Sequence, residues 1–145
     1  MKITIIDTAP GEEDEIIVKC SRLDEELMKM LRQFKQGGMC LNVYRDGEIH
    51  RIEPEEIYYF ESVDQKVFAC CEKEVYETKN KLYELEELLP ARDFVRVAKA
   101  VILNLNKIDS LAPAFGGRFE ALLKNGEKVI ISRQYVGSLK EKLGL

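Results

Sequence analysis

Side chains that could perform catalysis are sparse in this sequence. A nucleophile needs a nearby base, and the only histidine is His50, with no Ser/His/Asp or Cys/His set around it. No glycine-rich phosphate loop and no HExxH motif occurs. The acidic runs Glu12–Glu15 and Glu84–Glu87 are typical of solvated faces rather than of paired catalytic carboxylates. The sequence therefore predicts a protein that is not an enzyme, with no cofactor and no small-molecule substrate.

The four cysteines, Cys20, Cys40, Cys70 and Cys71, form no CxxC pair, and with a single histidine they supply no zinc ligand set. Cys70 and Cys71 are interpreted as reduced thiols in a strand rather than as a redox switch. Nothing in this usage suggests an oxidising compartment. No secretory leader and no apolar run of roughly 20 residues is present, so we expect a soluble, cytoplasmic protein.

Charge is distributed unevenly along the chain. Residues 1–62 contain 8 basic and 14 acidic residues, whereas residues 63–145 contain 14 basic and 12 acidic ones. The overall charge of -4 by itself argues against a polyanionic partner. It is an average over an acidic first part and a more basic second part, so it does not exclude such a partner. This uneven charge distribution favours an acidic accessory segment followed by a more basic binding face.

The first forty positions predict a small ββα unit. Ile and Val runs at Met1–Ile6 and Glu15–Cys20 predict two strands. Apolar residues then recur at helical spacing over 23–34. Gly37-Gly38 is expected to end this helix. The chain is thus predicted to contain an accessory unit at residues 1–40 and a main domain at residues 41–145.

From Leu41 onward, short β-type runs alternate with turn signals, which predicts an α+β, mainly β domain. Asp46-Gly47 and Asn125-Gly126 each separate two such runs and predict type I′ hairpins, and Gly116-Gly117 is interpreted as another hairpin turn. Loops on a rigid β scaffold are where binding residues concentrate. Further strands are predicted at Ile57–Val63, Lys66–Cys71, Val75–Thr78, Val101–Leu105 and Lys107–Leu111, and helices at Lys81–Leu89 and Tyr135–Leu143.

Several motifs of this domain form a family pattern when they are taken in order. They are IYYFES at Ile57–Ser62, a Leu-x-Glu-Leu-Glu segment at Leu82–Glu86, FVRVAKAVILN at Phe94–Asn104 and ISRQY at Ile131–Tyr135. No single motif is specific, whereas their joint order is. From about Leu41 to the last residue the chain resembles the LytTR family of DNA-binding domains.

The resemblance implies an elongated antiparallel β-sheet whose loops, rather than a recognition helix, enter successive major grooves of double-stranded DNA. The family's base-contacting positions fall on Gln65 or its neighbour Lys66, on Lys99 and on Arg133. These types suit the role, since Arg and Lys donate to guanine and Gln pairs with adenine in the major groove. The implied function is that of a sequence-specific bacterial transcriptional regulator.

A second group of side chains is predicted to contact DNA phosphates, which fixes register without reading sequence. Arg96 has an equal alternative role as the ion-pair partner of Asp93 or Glu86. Asn104 is expected to satisfy backbone groups. If the family pattern is set aside, the alternative interpretation of Arg133 is an ordinary solvated arginine at the end of a strand. The predicted phosphate contacts are Lys79, Arg96, Lys107, Tyr135 and Lys140.

The sequence departs from the family at two positions. Ala100 replaces the usual serine and removes a hydroxyl suited to a phosphate, and Gln65 stands where a basic residue or histidine is frequent. Many relatives carry a phosphorylated receiver domain. In this sequence, Asp7 follows an apolar run and suggests such a domain. Residues 1–40 are too few for a receiver, and its paired acids are absent. We therefore expect a stand-alone regulator that is not controlled by aspartyl phosphorylation.

The resemblance also implies protein partners. LytTR regulators commonly bind repeated sites, which implies a homodimer on DNA, and stand-alone relatives often pair with a membrane protein that restrains them. The apolar stripe over 23–34 serves either dimerisation or packing on its own strands. The alternative function is a non-catalytic protein-binding or sequestering module that has this fold and little DNA affinity, because the net charge is acidic.

Overall fold

The computed structural model describes residues 2–35 and 39–145, and the chain divides into two units, Met1–Gly37 and Gly38–Leu145. The first unit contains the helix α1 (Glu25–Lys35). Asp24 precedes this helix, and its Oδ1 accepts a hydrogen bond from the Leu27 N–H at 2.8 Å. That bond satisfies one of the N–H groups that a first helical turn leaves unpaired.

The prediction of two strands in the first unit is wrong. Residues 2–24 form no strand, and their apolar side chains are exposed, including Ile5 at 88%. The physical reason is the lack of a covering layer, because a two-stranded ribbon alone is marginal in water. The predicted helix end at Gly37-Gly38 and the side chain of Phe34 lie outside the described residues.

The second unit has two antiparallel sheets, which confirms the predicted α+β, mainly β fold class. The larger sheet has seven strands in the order β2-β1-β5-β4-β3-β7-β6, and the smaller has three in the order β10-β9-β8. Two helices accompany them, α2 (Leu82–Leu88) and α3 (Arg133–Leu143). The strands are β1 (Leu41–Arg45), β2 (Glu48–Ile52), β3 (Ile57–Val63), β4 (Lys66–Cys71), β5 (Val75–Thr78), β6 (Phe94–Ala98), β7 (Val101–Asn104), β8 (Ile108–Pro113), β9 (Phe119–Leu123) and β10 (Lys128–Ile131).

Two buried clusters lie on opposite faces of the larger sheet. Phe60, Ile102 and Leu85 of α2 belong to the first cluster. Leu103 belongs to the second, together with side chains of the smaller sheet and Leu139 of α3. The neighbours Ile102 and Leu103 point to different clusters because successive strand residues face opposite sides. The central strands are therefore fixed from both faces.

The structure adds one strand that the sequence did not predict. In β6, Phe94, Val95 and Val97 are all buried, with Phe94 in the first cluster and Val97 in the second. A strand buried on both faces lacks the alternation of apolar and polar residues that marks a half-exposed strand. This absence of alternation explains why β6 was missed.

The two predicted hairpin turns have different outcomes. At Asp46-Gly47 both residues have positive φ, as a type I′ turn requires. At the second hairpin only Gly126 has positive φ, and the Leu123 N–H donates to the Glu127 C=O, so the connection is longer than a type I′ turn. Among the described residues, no helix has the length and apolar character needed to cross a membrane.

Candidate nucleic-acid interface

Two short turns meet at one end of the larger sheet. Asp64-Gln65 connects β3 to β4, and Lys99-Ala100 connects β6 to β7. Because β3 pairs antiparallel with both β4 and β7, the two turns lie side by side, and the Ser62 N–H donates to the Ala100 C=O at 2.8 Å. We call this end of the sheet, which the two turns form, the turn end.

Gln65 occupies a backbone conformation that few residues adopt. Its φ is 65° and that of Asp64 is 50°, so both central residues of the turn are left-handed, as in type I′ hairpins. Gln65 and the following Lys66 are both exposed. Gln65 lines a surface cleft together with Lys81 and Lys99. The fold thus brings two predicted base-contacting positions, far apart in sequence, to one cleft.

Arg96 holds the Lys99 turn in place. Its Nε donates to the carbonyls of Ala98 at 3.1 Å and Lys99 at 3.2 Å, and a terminal nitrogen pairs with the Glu86 carboxylate of α2. The guanidinium therefore ties the helix α2 to the β6–β7 turn. Of the two roles that the sequence left open for Arg96, the structure contains the ion pair, and the partner is Glu86.

Arg133 lies at the start of a helix rather than in a loop. The helix α3, predicted from Tyr135, begins at Arg133 because Ser132 already has the extended conformation of a cap residue. The Ser132 N–H donates to the Val97 C=O at 2.8 Å, which sets this helix start beside β6, at a residue two positions before Lys99. Arg133 is exposed, and its Cγ and Cδ pack along the backbone of Gly117.

The predicted phosphate-contacting residues do not all lie at this end. Lys79 directly follows Thr78, the partner of Val67 next to the β3–β4 turn, and its Nζ lies 4.5 Å from the centre of the Tyr44 ring. Lys107 stacks over Tyr58 at 5.0 Å, beside the beginning of β3, and thus lies at the opposite end of the strand from Gln65. The antiparallel register separates Lys107 from the turn end.

On α3, Tyr135 is half-buried against the second cluster. Lys140 is exposed, and its Nζ lies 4.9 Å from the centre of the Phe119 ring. Phe119 pairs with Ile131 in the smaller sheet, next to the start of the helix. Lys140 therefore presents its charge on the same side of α3 as Arg133, two helical turns further along.

Sequence reasoning missed two cations of this region. Arg118 lines a shallow cleft with Ser132 and Arg133, and Lys81 lines the cleft of Gln65 and Lys99. The signal in the sequence for Arg118 is its position directly after the predicted Gly116-Gly117 turn. Lys81 stands just before α2, where its role depends on the tertiary packing of that helix.

The structure describes Asn104 and the strand cysteines in their expected structural roles. Asn104 is buried, its Nδ2 donates to the Ile57 C=O at 2.8 Å, and its Oδ1 accepts from the Asn106 N–H. Cys70 and Cys71 are free, and burial raises the pKa of each thiol to about 11. A protonated thiol is a poor nucleophile, and Cys70 is buried while Cys71 is half-buried, which agrees with the interpretation as reduced structural residues.

Comparison with known proteins assigns this arrangement to a family. Residues 47–144 match the model of the LytTr DNA-binding domain. The structure is similar to the LytTr DNA-binding domain of a Bacillus cereus protein described as a methyl-accepting/DNA response regulator. The TM-score is 0.70 and the sequence identity 26%, over 73% of this chain and 97% of that chain.

Two further relatives are similar in sequence. The sensory transduction protein LytT of Enterococcus faecalis is 31% identical over 140 residues, which are 94% of this chain and 58% of that protein. An uncharacterised HTH-type transcriptional regulator of Staphylococcus aureus is 27% identical over 147 residues, covering 100% of this chain and 99% of that protein. The chain thus spans little more than half of the LytT relatives. Because the family model matches well over half of its residues, this protein belongs to the family of LytTr DNA-binding domains.

Proposed function

We propose that this protein is a sequence-specific transcriptional regulator that presents its turn end and the start of α3 to double-stranded DNA. The observation that carries the proposal is the convergence of three exposed positions. Gln65 and Lys99 line one cleft, and Arg133 follows Ser132, which is hydrogen-bonded to the strand that leads to Lys99. None of the ion pairs among residues 2–35 and 39–145 uses these three side chains.

These positions are suited to entering a major groove. All three side chains are exposed, and Gln65, Lys99 and Arg133 offer the amide and cationic donors that distinguish base pairs there. Lys66 is the neighbouring candidate at the first turn. Each well-formed base contact is worth about 1–3 kcal/mol of discrimination. The turns and α3 would then occupy successive grooves along the duplex.

The other residues predicted to contact DNA have different proposed roles, which depend on where they lie in the fold. Lys79, Tyr135 and Lys140 are proposed to contact phosphates. Arg96 acts as a positioning residue, because its donors are already engaged by Glu86 and by the turn carbonyls. Lys107 has no part in this surface, since it lies at the other end of β3.

The biological setting follows from the family rather than from the geometry. A regulator that acts on DNA works in the cytoplasm of a bacterium, and LytTR proteins commonly bind repeated sites as homodimers. The similarity to a Staphylococcus aureus transcriptional regulator over 99% of that protein's length supports the regulatory role. A membrane protein that restrains the regulator is the partner class that stand-alone relatives suggest.

A gel-shift titration with DNA from the protein's own upstream region tests this proposal. We expect binding that exceeds binding to random DNA and that weakens with salt by about 0.9 log units per log unit of salt for each phosphate contacted. The alternative, a sequestering module, is favoured by the overall charge of -4. Absence of any shift above random DNA at low salt would support that alternative and refute DNA reading.

Base reading is tested separately from affinity. Lys99→Ala and Arg133→Ala should relax base preference at different positions of the site, because each removes one donor set. Lys140→Ala is the matched control, since loss of a phosphate contact weakens all sequences alike. Equal losses on specific and random DNA for Arg133→Ala would show that Arg133 is not a reader.

A further inference from the structure

The loop between β8 and β9 exposes an aromatic ring to solvent. Phe115 is 95% accessible, the highest value among the exposed large apolar side chains of the described residues. The Ala114 N–H donates to the Arg118 C=O at 2.8 Å and closes the loop. Gly116 and Gly117 both have φ of 76°, a left-handed conformation that glycine adopts without strain. The ring is therefore held outward by a loop of defined shape.

This loop lies directly beside the proposed base-reading arginine. A Cβ on Gly117 would lie 3.4 Å from both Cγ and Cδ of Arg133, so the arginine stem rests on the loop backbone. Arg118 shares a cleft with Arg133. The nearby carboxylate of Glu120 pairs with Lys128 at 3.5 Å. The surroundings of Phe115 thus carry two arginines whose charges are not matched by that acid.

An exposed aromatic ring beside two arginines is suited to binding a polyanion that also offers an apolar group. In the major groove only thymine presents such a group, its C5-methyl, and phenylalanine is one of the side chains that contact it. A protein partner fits less well, because a stable protein interface buries on the order of 1,000 Å² or more. Phe115 is the one large apolar side chain among residues 114–118 of this loop.

We propose that Phe115 contacts the C5-methyl group of a thymine next to the base read by Arg133, which makes the β8–β9 loop a further specificity element. The inference rests on the proposed DNA-binding function. It assigns Phe115 a role that neither the motifs of this sequence nor its charge pattern indicated.

The test replaces single thymines of the bound site with uracil, which removes the methyl group and keeps the base-pairing edge. Fluorescence anisotropy with labelled DNA gives Kd for the wild-type protein and for Phe115→Ala. We expect uracil at one thymine position to weaken wild-type binding about four-fold, the value for loss of one buried methyl group. Phe115→Ala should bind the thymine site correspondingly less tightly and should not distinguish uracil from thymine there.

Ile49→Ala is the matched control, because Ile49 is 67% exposed on β2, the edge strand of the larger sheet, whereas this loop belongs to the smaller sheet. It should bind like the wild type and retain the uracil effect. Phe115 contributes little buried area, so Phe115→Ala should keep the wild-type melting temperature, which excludes unfolding as the cause.

Four results would overturn the inference. If Phe115→Ala keeps both the wild-type affinity and its uracil effect, DNA binding stands and the role of Phe115 fails. If Phe115→Ala weakens binding while the uracil effect persists, or if no thymine shows a uracil effect in the wild type, the ring contacts something other than a methyl group. If the wild type binds no DNA above random sequence, the proposed function fails, and this inference fails with it.

Discussion

The contact of Arg96 with Glu86 predicts that the Glu86 carboxylate supports DNA binding although its own charge repels DNA. The ion pair joins α2 to the β6–β7 turn, and the same guanidinium donates to the Ala98 and Lys99 carbonyls. Glu86→Gln removes the negative charge and keeps the shape of the side chain. We expect it to weaken DNA binding, because the guanidinium is then held less firmly and Lys99 becomes less ordered.

The size of the effect follows from exposure and entropy. The Glu86 side chain is 42% exposed and that of Arg96 24%, so solvent screens the pair and its loss should cost stability less than about 1 kcal/mol. Ordering a free residue costs about 1–2 kcal/mol of backbone entropy. Because β6 and β7 still hold the turn, we expect a DNA-affinity loss of about 1 kcal/mol, or roughly five-fold in Kd. Arg96→Ala should cost more, since the carbonyls of the turn also lose their donors.

Electrostatics alone predicts that Glu86→Gln strengthens DNA binding, whereas the positioning role predicts that it weakens binding. The direction of the change therefore distinguishes the two. Removing an acidic charge near a polyanion strengthens binding, so Glu87→Gln, the exposed neighbour on α2, should bind as well as the wild type or better. The assay is anisotropy titration across a salt series. Wild-type or tighter binding by Glu86→Gln would refute the positioning role. A fall of about 0.9 in the salt slope for Arg96→Ala would indicate a phosphate contact instead.

Two further predictions concern the β8–β9 loop and the strand thiols. Gly117→Ala should cost about 1 kcal/mol or more of stability, because its φ is 76°, but it should leave DNA affinity close to the wild-type value, because the added Cβ would only touch the flexible Arg133 stem at 3.4 Å; Gly126→Ala, with φ of 88° and no neighbour within 4 Å, should show the same strain, and a loss of DNA affinity by Gly117→Ala alone would contradict this. With pKa values raised to about 11, both strand thiols are protonated at pH 8, so the buried Cys70 should react with a thiol reagent only on unfolding, and the stability that the protonated forms of Cys70 and Cys71 provide should be lost as pH rises from about 9 through 11; rapid labelling of Cys70 in the native protein would refute this.

Local patterns account for most of the second unit. β3, β4 and β5 have the predicted bounds because their apolar runs end at turn residues, and Asp46-Gly47 forms the predicted type I′ turn. The first unit shows the limit of such patterns. Ile and Val runs there have the β propensity of strands but no sheet to join, and they remain exposed.

The sequence by itself determined the residue types of the proposed interface, the β3–β4 turn that carries Gln65, and the family pattern, whereas β6, and with it the turn of Lys99, was not predicted. Tertiary structure alone decided which of these residues meet. The antiparallel pairing of β3 with β7 brings two distant turns to one edge, and the bond from Ser132 to Val97 adds the start of α3. The same register places Lys107 at the far end of β3. Convergence of this kind depends on long-range strand pairing, which local propensity and spacing do not encode.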